Sequence, residues 1–133
     1  MSKKFLISVV VMFIMSMLIG YVVHELLLGQ DYAQVQSLFR PKEDAMAYFP
    51  HMLLAHVLIA FGFVWIYLKG RENKPFLAQG IRYGIAIAVL MTIPIYLIYY
   101  AVQPMPGMLV AKQIVFDTIG VILMGIVVAW LNK

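Results

Sequence analysis

The sequence predicts an all-α membrane protein: a bundle of four transmembrane helices, both termini cytoplasmic, with a short helix in the external loop between helices 1 and 2. Three observations carry that reading. The chain is 64% hydrophobic and only 12% charged, whereas soluble domains carry about 25% charged residues. It contains four apolar stretches, each near the ~20 residues needed to cross the hydrocarbon core. Its lysines and arginines crowd into alternate connections, the pattern that cytoplasmic loops follow. Four such crossings take up most of the 133 residues, so residues 1–133 form one transmembrane domain with no room for a separate soluble one.

The first span, residues 5–28, is uncharged through Val23, with Ser8, Ser16, Gly20 and Tyr21 as its interruptions. Lys3 and Lys4 ahead of an apolar run also suit a secretory leader. The run is longer than a usual leader core, however, and no small-x-small cleavage site follows, so the span is expected to be retained. In the loop that follows, Asp31 and Gln34 have capping-box spacing ahead of Val35, Leu38 and Phe39, which predicts a short helix ending before Pro41. Tyr32, Val35 and Phe39 would share one face, resting on the membrane surface or covering the top of the bundle.

The second span, residues 50–68, begins with Pro50, a residue suited to a first helical turn, and His56 is its deeply placed ionisable group. The third, residues 83–102, has no charge, and Pro94 within it removes one backbone donor and frees the carbonyl of Leu90, predicting a kink. The fourth, residues 108–131, carries Lys112, Gln113 and Asp117 before a clean apolar stretch.

Orientation follows from Lys3, Lys4, Lys69, Arg71, Lys74, Arg82 and Lys133 on one side, against Arg40, Lys42 and Lys112 on the other. This places both termini inside. Trp65 and Trp130 then fall near the inner interface and Tyr21, Tyr48, Tyr99 and Tyr100 near the outer one, as aromatic belts do.

With that topology, the polar residues of the spans gather in the outer half: His24, Glu25, His51, His56, Tyr96, Gln103, Lys112, Gln113 and Asp117. Ionisable groups inside a membrane are costly and face a partner or a cavity. Asp117 lies roughly 13 Å below the outer end of its helix at 1.5 Å per residue, and Gln113 shares its face. Lys112 is turned away and snorkels outward. His56, roughly 9 Å deep by the same rise, is the expected hydrogen-bond partner of Asp117 across the bundle. Such a pair either fixes helix register or handles protons or a ligand. His24, Glu25 and His51 sit near headgroup level, where charge is cheap. The tyrosines read as a belt before a ligand box. Ser16 with Gly20, Gly84 with Ala88 and Gly125 with Ala129 have the small-xxx-small spacing of close helix packing.

The candidate ligand-binding or polar-network residues are therefore His56, Asp117, Gln113, Glu25, His24 and Tyr96. His24-Glu25 opens like a zinc-protease signature, but Leu28 stands where the second histidine belongs. His51 and His56, five apart, face different ways. A site built across helices from His24, Glu25, His56 and Asp117 stays geometrically open, and the residues specify no particular metal or cofactor. The absence of cysteine excludes disulfides, thiolate metal sites and cysteine nucleophiles. The basic residues act as topology signals and form no nucleic-acid surface.

Three segments form a coherent signature: Asp31 to Gln34, Met52 to His56, and Tyr99 to Pro104 continuing to Lys112 through Asp117. Together they resemble small, uncharacterised four-helix inner-membrane proteins of proteobacteria, over most of the chain. The resemblance implies a bacterial inner membrane and no assigned activity. The residues themselves suggest a non-catalytic membrane protein, an accessory subunit packing against a larger membrane complex or against itself. The alternative is a site in the outer half for a small ligand, a metal, haem or quinone, or a proton relay.

Overall fold

The computed structural model describes residues Met1–Lys133 throughout, and every regular element in it is helical. Four long helices are each long and apolar enough to span a membrane: α1 (Lys3–Leu27), α3 (Lys42–Gly70), α4 (Phe76–Val102) and α5 (Gly107–Leu131). Between α1 and α3 lie the short α2 (Gly29–Ala33) and a single 3₁₀ turn, Gln36–Leu38.

Ser2 starts α1 by accepting a hydrogen bond from the amide of Phe5 at 3.1 Å, which satisfies one of the unpaired donors at a helix start. Over Lys3–Tyr21 the buried residues of α1 are Phe5, Ser8, Met12 and Ser16, a single stripe at three- and four-residue spacing. In α3 the stripe is Ala60, Phe63, Val64 and Tyr67. The remaining faces stay apolar, and just 23 of 133 residues are buried, the pattern of helices whose outer faces meet lipid rather than water.

The observed α3 begins well before Pro50, which lies inside the helix. Pro41 sits at the start instead, and Glu43 and Asp44 occupy the first turn, where negative charge complements the helix dipole. Residues 42–52 are exposed along their whole length, so the carbonyl that Pro50 leaves unpaired stays open to an alternative partner. α4 likewise begins before its predicted start, at Phe76, and takes in Arg82. Pro94 follows a π-helical turn, Ala88–Thr92, in which the amide of Ile93 reaches back to Ala88. The longer i to i+5 step lies directly ahead of the proline, the kind of local adjustment that accompanies a proline within a membrane helix. A second π turn, Val22–Leu27, ends α1.

α1 packs on α3 and α5, and α4 packs most extensively on α5. The seam between α4 and α5 is built of glycine. A Cβ added at Gly80 would lie 2.6 Å from the Gly125 carbonyl oxygen, and one at Gly84 would lie 2.5 Å from the Ile122 Cα. Gly84 and Gly125 belong to the small-residue pairs read from the sequence, whereas Gly80 was not among them. Both chain ends and the α3–α4 connection meet at one end of the bundle. Lys4 Nζ donates to the Lys133 carbonyl at 3.3 Å, Arg71 Nη1 to the Asn132 carbonyl at 2.7 Å, and Asn132 Nδ2 to Ser8 Oγ at 3.0 Å. The α2 segment and the α4–α5 connection occupy the opposite end.

Candidate functional site

The polar site lies at the α2 end, where the last turns of α1 meet α2, the second half of α4 and the first half of α5. Its centre is Asp117 on α5. Tyr96 on α4 donates its hydroxyl to Asp117 Oδ2, and His24 Nε2, in the π turn of α1, lies 3.3 Å from the same oxygen. The other ring nitrogen of His24 is 2.6 Å from the Tyr32 hydroxyl, and Gln113 Nε2 donates to that hydroxyl at 2.9 Å. Gln113 donates to the Tyr32 oxygen, the Tyr32 hydroxyl and His24 Nδ1 share a hydrogen bond, and the far side of the same ring rests against Asp117 as a close polar contact.

Helical geometry places these groups. Gln113 and Asp117, four residues apart, stand on one face of α5 as predicted. The side chain of His24 keeps 34% of its surface exposed and that of Asp117 18%, so the chain runs from near the surface to a largely covered carboxylate. Burial pushes the Tyr32 phenol above its usual range; the Gln113 hydrogen bond opposes that rise, and the charges of Asp117 and Asp31 add to it.

The same end is tied a second time by Lys112 Nζ donating to Asp31 Oδ1 at 2.9 Å. Both groups keep solvent access, so this pair contributes about 0–1 kcal/mol. It also corrects the expected capping role of Asp31. α2 starts at Gly29, two residues before Asp31, so Asp31 lies inside the helix, not at its cap, and its carboxylate turns to Lys112. Lys112 does avoid Asp117, as its position on the helix predicted. Tyr32, Val35 and Leu38 pack against Val23, Leu28, Met105, Leu109 and Val110, and Tyr32 meets Phe39 edge to face at 5.2 Å. The segment therefore covers the end of the bundle.

The expected pair of His56 with Asp117 does not form. His56 Nδ1 is 2.9 Å from Ser16 Oγ, and its ring rests over Gly20. The reason is neighbourhood: α3 packs mainly on α1 and barely on α5, so the nearest polar group to His56 is on α1. Ser16 and Gly20 thus seat a histidine ring. His24, placed by the sequence at headgroup level, takes the position on Asp117 instead. Glu25 is exposed and makes no hydrogen bond or ion pair. His24, Glu25, His56 and Asp117 consequently do not converge, and no group of three metal-ligating side chains assembles.

Tyr32 is the hub of this network that the sequence reading did not place in the site. A signal existed: the acidic and phenolic pair Asp31-Tyr32 matches the basic and amide pair Lys112-Gln113, and the structure joins them in that order. Beside the site, an apolar groove of about 260 Å³ runs between Leu18, Val22 and Leu27 of α1 and Phe116, Ile119 and Leu123 of α5. Next to Asp117, the Thr118 hydroxyl is buried without a partner. Compared with family models, curated proteins and solved structures, the chain matches none.

Proposed function

We propose that this chain is a non-catalytic multi-pass protein of a bacterial inner membrane, termini cytoplasmic, that acts by packing against another membrane protein or a second copy of itself. The observation that carries this reading is the contrast between satisfied polar groups and open apolar helices. Tyr96 is hydrogen-bonded to Asp117, and His24 and Gln113 to Tyr32, within the chain, and His24 closes on Asp117 at 3.3 Å. Just 6% of the apolar window of α4 is buried, which leaves the faces of that helix turned away from α5 open to pack sideways. The orientation is supported by charge: seven of the ten basic residues and one of the six acidic ones lie at the end that holds both termini. Extraction in mild detergent followed by mass spectrometry should recover the chain with a partner or as a multimer. Recovery always as a lone monomer would sink the reading.

A second reading rests on one specific feature, the contiguous run of four titratable side chains, in which the hydrogen-bonded pairs Tyr96–Asp117 and His24–Tyr32 meet where His24 lies 3.3 Å from Asp117. Such a run can pass a proton or hold a small polar ligand. On this reading Asp117→Asn and His24→Ala, in a protein that remains folded, abolish the proton flux or ligand content associated with the wild type. Unchanged values in both variants dismiss it.

A further inference from the structure

The end of the bundle that holds the termini carries a cleft of about 230 Å³ between the end of α3 and the start of α4. Its lining combines the cationic Arg71, Lys74 and Arg82 and the polar Glu72 and Gln79 with the apolar and aromatic Ile66, Tyr67 and Tyr83. Arg71 spends one of its donors on the Asn132 carbonyl, and Lys74 pairs with Glu72, the single acidic residue at this end. Arg82 is exposed and has no ion-pair or hydrogen-bond partner. With three cations against the one carboxylate of Glu72, which already pairs with Lys74, the guanidinium of Arg82 and the remaining donors of Arg71 form a net cationic rim. Guanidinium groups bind phosphate oxygens in a fork geometry that ammonium groups do not reproduce.

The depth of the cleft fits a membrane interface. Trp65 and Trp130 are each 51% exposed and lie close to this end of α3 and α5, where indole rings mark headgroup level. The apolar lining at Ile66, itself exposed, continues along the lipid-facing surface of α3. A ligand that suits both kinds of lining carries a phosphate at one end and a hydrocarbon chain at the other.

We propose that this cleft binds the phosphate of an anionic phospholipid, with Arg82 and Arg71 on the headgroup and the acyl chain following α3 from Ile66. The proposal rests on the membrane-spanning character of the helices and not on any partner protein or on the Asp117 site.

Native mass spectrometry of the detergent-purified full chain tests it, using added phosphatidylglycerol, phosphatidylcholine or inorganic phosphate as probes. Phosphatidylglycerol is expected to be retained at least five-fold more than phosphatidylcholine, and inorganic phosphate not to displace it. Arg82→Gln, and the double variant Lys74→Gln with Arg82→Gln, should each cut that preference at least three-fold. Arg40→Gln with Lys42→Gln, which removes two charges at the opposite end, should leave it unchanged. Equal retention of the two lipids, an equal loss in the Arg40 and Lys42 variant, or full displacement by inorganic phosphate overturns the proposal. Because Arg82→Gln changes an exposed side chain with no internal partner, it keeps the test decisive if the double variant does not fold.

Discussion

The two ends of the bundle are centred on different contacts. At the end that carries the termini, α4 and α5 approach through Gly80, Gly84 and Gly125 until backbone meets backbone. Beside that seam, Phe63, Val64, Met124 and Val128 close a continuous apolar core. At the other end the helices are joined by side chains that donate and accept: Tyr96, His24 and Tyr32 around Asp117. In lipid there is no hydrophobic drive between helices, so association relies on close packing and on hydrogen bonds between them. Both ends use both, but the backbone-to-backbone glycine approach lies at the first and the carboxylate-centred network at the second. The glycine seam is a matter of shape and tolerates no added atom. The polar end tolerates changes of shape but not the loss of a partner.

The sharpest way to break the contrast is to add a methyl group to the seam. Gly80→Ala is expected to destabilise the fold by roughly 3 kcal/mol, the upper part of the range for overpacking, because the group in its way is a backbone carbonyl that cannot rotate aside. Reversible unfolding in mixed detergent micelles measures it, and a cost under about 1 kcal/mol would show that the helices separate easily.

Next in size is Asp117→Ala, which leaves the Tyr96 hydroxyl without its acceptor and strips His24 of its carboxylate neighbour, and should cost about 2 kcal/mol. Asp117→Asn keeps an oxygen in place and should cost about half as much. The same unfolding measurement separates them, and equal costs would mean that charge, not hydrogen bonding, organises this end.

Thr118→Val moves stability in the opposite direction. It replaces a buried hydroxyl that has no partner with a methyl group of similar volume, and a gain on the order of 1 kcal/mol is expected. A loss in the same unfolding assay would mean that the hydroxyl does find a partner.

The smallest effect is a pH dependence. The phenol of Tyr32 is pushed above its usual value of 10.0 in the folded chain, first by burial and then by the carboxylates of Asp117 and Asp31, against the Gln113 hydrogen bond. A group raised in the folded state binds its proton more tightly there than when unfolded. Its contribution to stability is therefore complete below pH 10 and declines as pH rises from there through the folded value. Tyr32→Phe should flatten the alkaline fall in unfolding temperature, and an unaltered slope would show that Tyr32 does not titrate with unfolding.

Four apolar stretches and the spacing of their interruptions were enough to specify four long helices, because burying an unpaired backbone group in hydrocarbon costs so much that an apolar stretch of this length must be helical. The shared face of Gln113 and Asp117 was legible for the same local reason. The starts of α3 and α4 were not. Lys42 to Phe49 and Phe76 to Arg82 are polar enough to pass for loops, yet they extend the helices beyond the apolar windows. Nor could the partner of Asp117 be read. That depended on α1 lying against both α3 and α5, which gave His56 to Ser16 and His24 to Asp117. Depth along a helix is a property of sequence spacing, but the neighbour on each side is decided by how whole helices pack. Here that packing turned on Gly80 meeting Gly125 and on Tyr32 folding back over the end of the bundle.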